Sequence, residues 1–268
     1  MEVLSGMDRS ALPIGIFDSG MGGLSVLRTA LRTLPDERFL FYGDIANAPY
    51  GTKTEEQVYA CARAVTGHLM DQGIKAMVIA CNTATCAAAA QLRAEFPDFI
   101  IVGMEPALKL AHDQCPEGRI LVLATPVSLA SEKYRRLYEN YGEHAVSLPC
   151  PGLMEFVERG DTDSEEVKAY LQEKFAPYLA GGQKLSAVVL GCTHYVFLKK
   201  TVQSLLPPET QVLDGNEGTV RQLRRRLEQE GLLSLVPQTG QRYTLGFHLN
   251  ASESKTRALA EALLRIPE

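Results

Sequence analysis

Paired metal ligands, bilayer-length apolar runs, an excess of positive charge and a flexible linker are all missing from this sequence. No Cys-x-x-Cys pair occurs and the five histidines are scattered, which argues against zinc, so no metal is expected. No apolar run approaches the roughly 20 residues that span a bilayer. The opening Met1-Glu2-Val3-Leu4-Ser5-Gly6 has no basic segment leading into an apolar core, so the chain is expected to be cytoplasmic, with no membrane partner. In that setting the six cysteines, at 61, 81, 86, 115, 150 and 192, have no tight framework spacing and read as reduced thiols. A formal net charge of −5 argues against a dedicated nucleic-acid binder, whose phosphate contacts leave a basic surface. Arg221, Arg224, Arg225 and Arg226 fall between Glu217 and Glu230 and read as a solvated helix face.

What is present is a repeated alternation of short apolar runs with helical periods. At 268 residues the chain is one large domain or two small ones, by a prior of roughly 150 residues each. Strands are expected over 14–17, 38–42, 76–80, 99–102, 120–124, 145–148, 187–190, 211–213 and 243–248. The intervening helices include 83–95, rich in alanine, a single helix over 129–141, and stretches over 153–159, 165–179, 198–206, 216–230 and 254–264. Gly181-Gly182 is expected to stop the helix before it. Thr54 followed three residues later by Gln57 has the reciprocal capping pattern of a helix start, and Val58, Ala62, Val65 and Leu69 fall on one face. The alternation points to an α/β protein of two similar lobes, each a mainly parallel sheet flanked by helices, with the site in the cleft between them. The boundaries are drawn at 1–105, 106–213 and 214–268, with the crossover near Glu105-Pro106 and the last segment returning to the first lobe. Residues 1–13 read as a loose extension.

Two of the apolar runs end alike. Val78-Ile79-Ala80 runs into Cys81-Asn82-Thr83, and Val188-Val189-Leu190-Gly191 runs into Cys192-Thr193-His194. In open α/β sheets, ligand-binding groups lie beyond the carboxyl ends of strands, so each strand aims a thiol at a site. A lone cysteine is as well explained by core packing. Two after matched strands suit chemistry in which a base removes a proton from carbon and an acid on the opposite face returns one, since a thiol with a pKa of about 8.5 serves either role. Asp18 after the first strand is a turn-former or a carboxylate at the cleft mouth, with Ser19 and the glycine-rich backbone as an anion site. His194 stands two residues from Cys192 and is placed to assist proton transfer. Glu158 is a weaker candidate, because an exposed helical carboxylate is the default. Two other classes compete. Gly20-Met21-Gly22-Gly23 with Asp44 suggests a dinucleotide site, although Ser25 stands where the third small glycine belongs and both thiols go unexplained. A two-lobed binding module without catalysis explains the cleft but not the paired thiols.

Taken together, several blocks resemble the cofactor-independent aspartate/glutamate racemase superfamily, and within it the glutamate racemases. The carriers are Asp18-Ser19-Gly20 with Gly22-Gly23-Leu24, Asp44 through Pro49-Tyr50-Gly51, Ala80-Cys81-Asn82-Thr83-Ala84, the run from Cys150-Pro151 to Val157-Glu158, and Gly191-Cys192-Thr193-His194-Tyr195. The likeness covers nearly the whole chain. It implies interconversion of L- and D-glutamate without cofactor, supplying D-glutamate for peptidoglycan, by a protein expected to be a homodimer. It also implies that Cys81 and Cys192 are the acid/base thiols, with Asp18 assisting Cys81 and His194, oriented by Glu158, assisting Cys192. Substrate contacts carry over to Asp18, Ser19, Tyr50, Gly51, Asn82, Thr83, Thr193 and His194. Val196, where the family often has proline, and Gly215-Asn216 after Asp214 depart from the family pattern.

Overall fold

Every strand pairing in the computed structural model is parallel, and the structure describes residues 8–104, 107–180, 183–250 and 252–267. The strands are β1 (Ile14–Asp18), β2 (Phe39–Gly43), β3 (Ala76–Ile79), β4 (Ile100–Gly103), β5 (Arg119–Ala124), β6 (Ala145–Pro149), β7 (Leu185–Leu190), β8 (Gln211–Asp214) and β9 (Tyr243–Phe247). They form two sheets, ordered β4-β3-β1-β2-β9 and β6-β5-β7-β8. The helices are α1 (Leu24–Thr33), α2 (Glu55–Asp71), α3 (Asn82–Glu95), α4 (Ala107–Gln114), α5 (Pro126–Ala130), α6 (Glu132–Tyr141), α7 (Leu153–Glu158), α8 (Glu165–Leu179), α9 (Lys199–Ser204), α10 (Asn216–Gln229) and α11 (Glu253–Leu264).

The pleat explains the apolar runs. Because successive side chains point to opposite faces, a strand covered on both sides must be apolar throughout. On β3, Ala76 and Val78 enter one core while Met77 and Ile79 enter another, and on β5 Leu121 and Leu123 separate in the same way from Ile120 and Val122. The core that takes Val78 also takes Leu121, Leu123, Val188 and Leu190, so one apolar body joins the inner faces of both sheets. The last strand, β9, extends the first sheet beside β2, and α10 and α11 both pack on α1.

Local chemistry sets the element ends. Thr54 and Gln57 form the expected reciprocal cap at the start of α2. The single helix expected over 129–141 is instead two, because Thr125 and Ser131 each cap a separate start and Ser131 adopts an extended ψ of 148° between them. The stretch expected as helix over 198–206 is partly 3-10: it turns tightly from Thr193 to Leu198 before α9 begins. Helix α4 lacks a strong signal in the sequence and is an addition to the expected set. Both Glu105-Pro106 and Gly181-Gly182 lie outside the described residues, as do residues 1–7 of the extension. Residues 9–11 of that extension form a short 3-10 turn capped by Asp8.

Candidate active site

In each sheet the chain reverses its direction of growth between two central strands: β1 and β3 in the first, β5 and β7 in the second. Ligands favour the crevice at such switch points, beyond the carboxyl ends. Asp18 ends β1 and Cys81 follows β3; Cys192 follows β7 and Thr125 follows β5.

On the first wall, Cys81 is the N-cap of α3. It takes an extended conformation, and its Sγ accepts the Ala84 N–H at 3.4 Å. The capping role therefore falls to a sulfur rather than an oxygen, which leaves the thiol at the helix start. Ser19 Oγ lies 3.4 Å from the same sulfur. Burial, reinforced by the nearby charge of Asp18, pushes the Cys81 thiol up to about 12, against the opposing bonds from Ser19 and Ala84. Asp18 is fully buried. Its carboxyl is also raised, by burial first, with His194 and the Gly20 N–H pulling the other way.

The second wall reaches across to the first. Cys192 Sγ lies 3.7 Å from His194 Nδ1, and His194 Nε2 lies 2.6 Å from Glu158 Oε1. Burial alone would depress the imidazole, but hydrogen bonding to Cys192 and to Glu158 outweighs it and holds the ring well above its usual value. Glu158 is held below the carboxylate range: its burial is overcome by the His194 partner and by the Met21 N–H, which donates at 2.8 Å. The Gly22 N–H also sits 3.1 Å from Nε2, a bond only a neutral ring accepts. With the ring protonated, the shorter, charge-assisted contact to Glu158 prevails. Thr193 Oγ1 donates to Asp18 Oδ2 at 3.2 Å, and Ser25 Oγ donates to the Thr193 carbonyl at 3.1 Å.

The glycine loop after β1 thus serves a different purpose from the anion and dinucleotide readings. Its Gly20, Met21 and Gly22 N–H groups face Asp18, Glu158 and His194 respectively, and the Asp44 carboxylate faces Tyr50, Asn47 and His248. Both features of the dinucleotide fingerprint are already engaged within the protein. Glycine is required at 22 for another reason: a Cβ there would stand 2.6 Å from Thr193 Oγ1 and collide with the His194 ring.

Both thiols line one cleft of about 330 Å³. Ser19, Tyr50, Gly51, Asn82, Thr83, Thr193 and His194 line it with them, whereas Asp18 and Glu158 stand behind the lining. Three lining residues were missed by sequence reasoning: Thr125, Ser128 and Met154. Thr125 comes directly after β5 as Ser19 comes directly after β1, with Ser128 a turn further on, and that positional parallel was the available signal. Ser128 Oγ lies 3.2 Å from Thr83 Oγ1, so a hydroxyl pair joins helix α5 to the first turn of α3. A larger, mainly apolar hollow of about 690 Å³ backs onto Asn82, Cys192 and Thr193 but does not reach Cys81. Among the described residues, no group of three or more His, Cys, Asp or Glu side chains is arranged to hold a metal. None of their helices is long and apolar enough to cross a membrane.

The molecule is a parallel two-sheet α/β protein that brings one cysteine from each sheet to a shared cleft. Residues 16–223 match the family model for Asp/Glu/hydantoin racemases, and the chain belongs to that family. It is 44% identical over 261 residues to the glutamate racemase of Clostridium perfringens strain 13, covering 97% of this chain and 98% of that one. Among solved structures, Thermus thermophilus glutamate racemase in complex with β-chloro-D-alanine is 35% identical with a TM-score of 0.78, covering 95% of this chain and 93% of that one. The Bacillus anthracis glutamate racemase isoform RacE1 is 28% identical with a TM-score of 0.82, covering 95% and 94%.

Proposed function

We propose that this chain interconverts L-glutamate and D-glutamate by moving protons at the α-carbon between two thiols, supplying D-glutamate for peptidoglycan synthesis. The observation that carries the reading is that Cys81 and Cys192 enter one cleft from different sheets. Inverting a stereocentre by proton transfer needs groups on opposite faces, and a cleft with a thiol on each wall meets that need. The relatives' activity on glutamate supports the choice of substrate.

In this proposal Cys192 removes the proton from the L form while Cys81 delivers one to the other face; the D form reacts in reverse. The high proton affinity of Cys81 suits it to the donor role, since it enters the reaction protonated. When it must act as the base, Asp18 is the assigned proton acceptor, a role supported by its own raised affinity. His194, oriented by Glu158, exchanges the proton of Cys192. Ser19, Tyr50, Gly51, Asn82, Thr83, Thr193 and His194 bind the substrate, with Asp18 beside them. Hydroxyl and amide dipoles fixed around the α-carbon stabilise the carbanion, where preorganisation matters most. The working units are residues 1–105, 106–213 and 214–268. The protein acts in the cytoplasm as a homodimer, with no cofactor or metal, because its own thiols supply the chemistry.

The test is racemisation of the purified protein in heavy water, with each amino acid and no additive. Glutamate alone should lose optical rotation, and early product should carry deuterium while unconverted substrate stays protiated. Early product that retains the substrate's own hydrogen rules out two bases. Exhaustive dialysis against chelator should leave the rate unchanged, and loss restored by metal contradicts the proposal.

A further inference from the structure

The Asp44 carboxylate has no part in the proton chemistry, yet it is among the most completely enclosed charges in the molecule, at 1% exposure. It lies directly after β2, and its own N–H donates to the Asp18 carbonyl at 2.9 Å. Oδ2 accepts the Tyr50 hydroxyl at 2.6 Å, Oδ1 lies 2.6 Å from His248 Nδ1, and Asn47 Nδ2 donates to the two oxygens at 3.0 and 3.1 Å. A carboxylate offers about four lone-pair directions, so this one is close to saturated.

Its partners come from opposite ends of the chain. His248 is the residue after β9, and it is fastened by its backbone as well: its N–H donates to the Gly43 carbonyl at 2.9 Å, and its carbonyl accepts the Ala46 N–H at 2.8 Å. Tyr50 is buried, its ring packs on Phe17 with centroids 6.2 Å apart, and it lines the thiol cleft beside Gly51. Burial and the Asp44 charge raise the phenol's proton affinity, which keeps it a donor. A continuous path of short contacts therefore runs from the last strand to the cleft edge.

We propose that Asp44 and His248 form a latch, with His248 acting through Asp44 as a positioning residue that holds the Tyr50–Gly51 edge against the substrate. The proposal rests on that edge being a substrate contact. Its physical basis is the hollow of about 480 Å³ beside the carboxylate, lined by Asp44, Asn47, His68 and His248 among others. If the His248 donor is withdrawn, water entering there competes for Asp44, and the Tyr50 hydroxyl loses its fixed acceptor. The loop then pays an ordering cost when substrate binds, which raises KM and leaves turnover of bound substrate alone.

The experiment measures KM and kcat in both directions for the parent, His248→Ala, His248→Asn, Tyr50→Phe, the His248→Ala/Tyr50→Phe double variant and Gly51→Val. Loss of one charge-assisted bond predicts a rise in KM of about tenfold for His248→Ala, with kcat within about twofold. His248→Asn keeps a nitrogen donor at the same reach and should restore KM to within about twofold of the parent. The double variant should match Tyr50→Phe, because both changes act through one carboxylate. Multiplying effects in the double variant, a fall in kcat at constant KM, or failure of asparagine to rescue would each overturn the latch. Gly51→Val separates the two readings, since its Cβ meets only ordinary contacts at Thr125, the nearest atom lying 3.7 Å away, and the branched side chain adds bulk at the cleft edge itself. Unchanged KM there would remove the substrate edge itself. Raised KM there with unchanged KM in His248→Ala would remove the latch alone.

Discussion

Asp18 and His194 make opposite demands on the protein. Asp18 is a buried carboxyl whose proton affinity is raised by that burial, so the native state holds its proton more tightly than the unfolded chain does. Its contribution is fully favourable below the unfolded value of about 3.9 and is lost as pH rises through the higher folded value. At neutral pH the ionised group therefore costs stability. Asp18→Asn is expected to raise the melting temperature at pH 7, on a scale of about 2–4 °C per kcal/mol for a chain this long, with the gain shrinking on acidification. The same change should depress turnover; unchanged or lowered stability at pH 7 would contradict this account of the burial. His194, whose proton affinity is raised by its bonds to Cys192 and Glu158, lies against the Cys192 thiol, so His194→Ala should lower kcat about 10²–10⁴-fold with a smaller effect on KM. Parental turnover in both directions would demote the ring to a structural role. At this scale the two thiols were visible in the sequence, as apolar runs that end in cysteine. The hydroxyls of Thr125 and Ser128 were not, because Thr-Pro-x-Ser reads as an ordinary helix start and does serve as one, with Thr125 capping α5.

Among the elements, the loop from Ser19 to Gly23 has the most exacting fit. It carries three backbone N–H groups to Asp18, Glu158 and His194, and the last two contacts require the second lobe to close on bare backbone of the first. Gly22→Ala introduces a Cβ 2.6 Å from Thr193 Oγ1, well inside contact distance. Far-UV circular dichroism should be unchanged, because the helices and strands keep their own cores, while activity should fall sharply in both directions. Parental activity in a folded Gly22→Ala protein would show that this approach can relax freely. Helix boundaries were legible where a side chain caps its own helix, as at Thr54, and misread at 129–141. There Ser131 ends one helix and caps the next within an apparently continuous period.

At the scale of the whole molecule, a second buried ion pair stands at the opposite end of the first sheet from the cleft. Lys75 Nζ lies 2.6 Å from Glu37 Oε2; Lys75 also donates to the Ser10 carbonyl at 2.5 Å, and Glu37 accepts the Ser234 N–H at 2.8 Å. Burial raises Glu37 and lowers Lys75, each opposed by the other's charge. Three segments, near 10, 37 and 234, are thereby fastened to the amino end of β3. Removing one member strands the other charge, so Lys75→Met is expected to cost about 3–5 kcal/mol in denaturant unfolding, whereas Lys75→Met with Glu37→Leu should recover most of it. A single variant of parental stability would show that the pair is not enclosed as described. Neither change should move KM, given the distance along the strands from the cleft.

The sequence alone determined the alternation of strands and helices, the parallel class and the runs that deliver Cys81 and Cys192, because these depend on local periodicity and on the residue type at the end of each strand. The tertiary structure decided the partnerships. Glu158 with His194, Asp44 with His248 and Glu37 with Lys75 join residues 36, 204 and 38 positions apart, and nothing in any one segment marks its partner. Each pairing depends on which strands lie side by side and on how the two sheets face each other, and both arise from burying apolar faces over the whole chain.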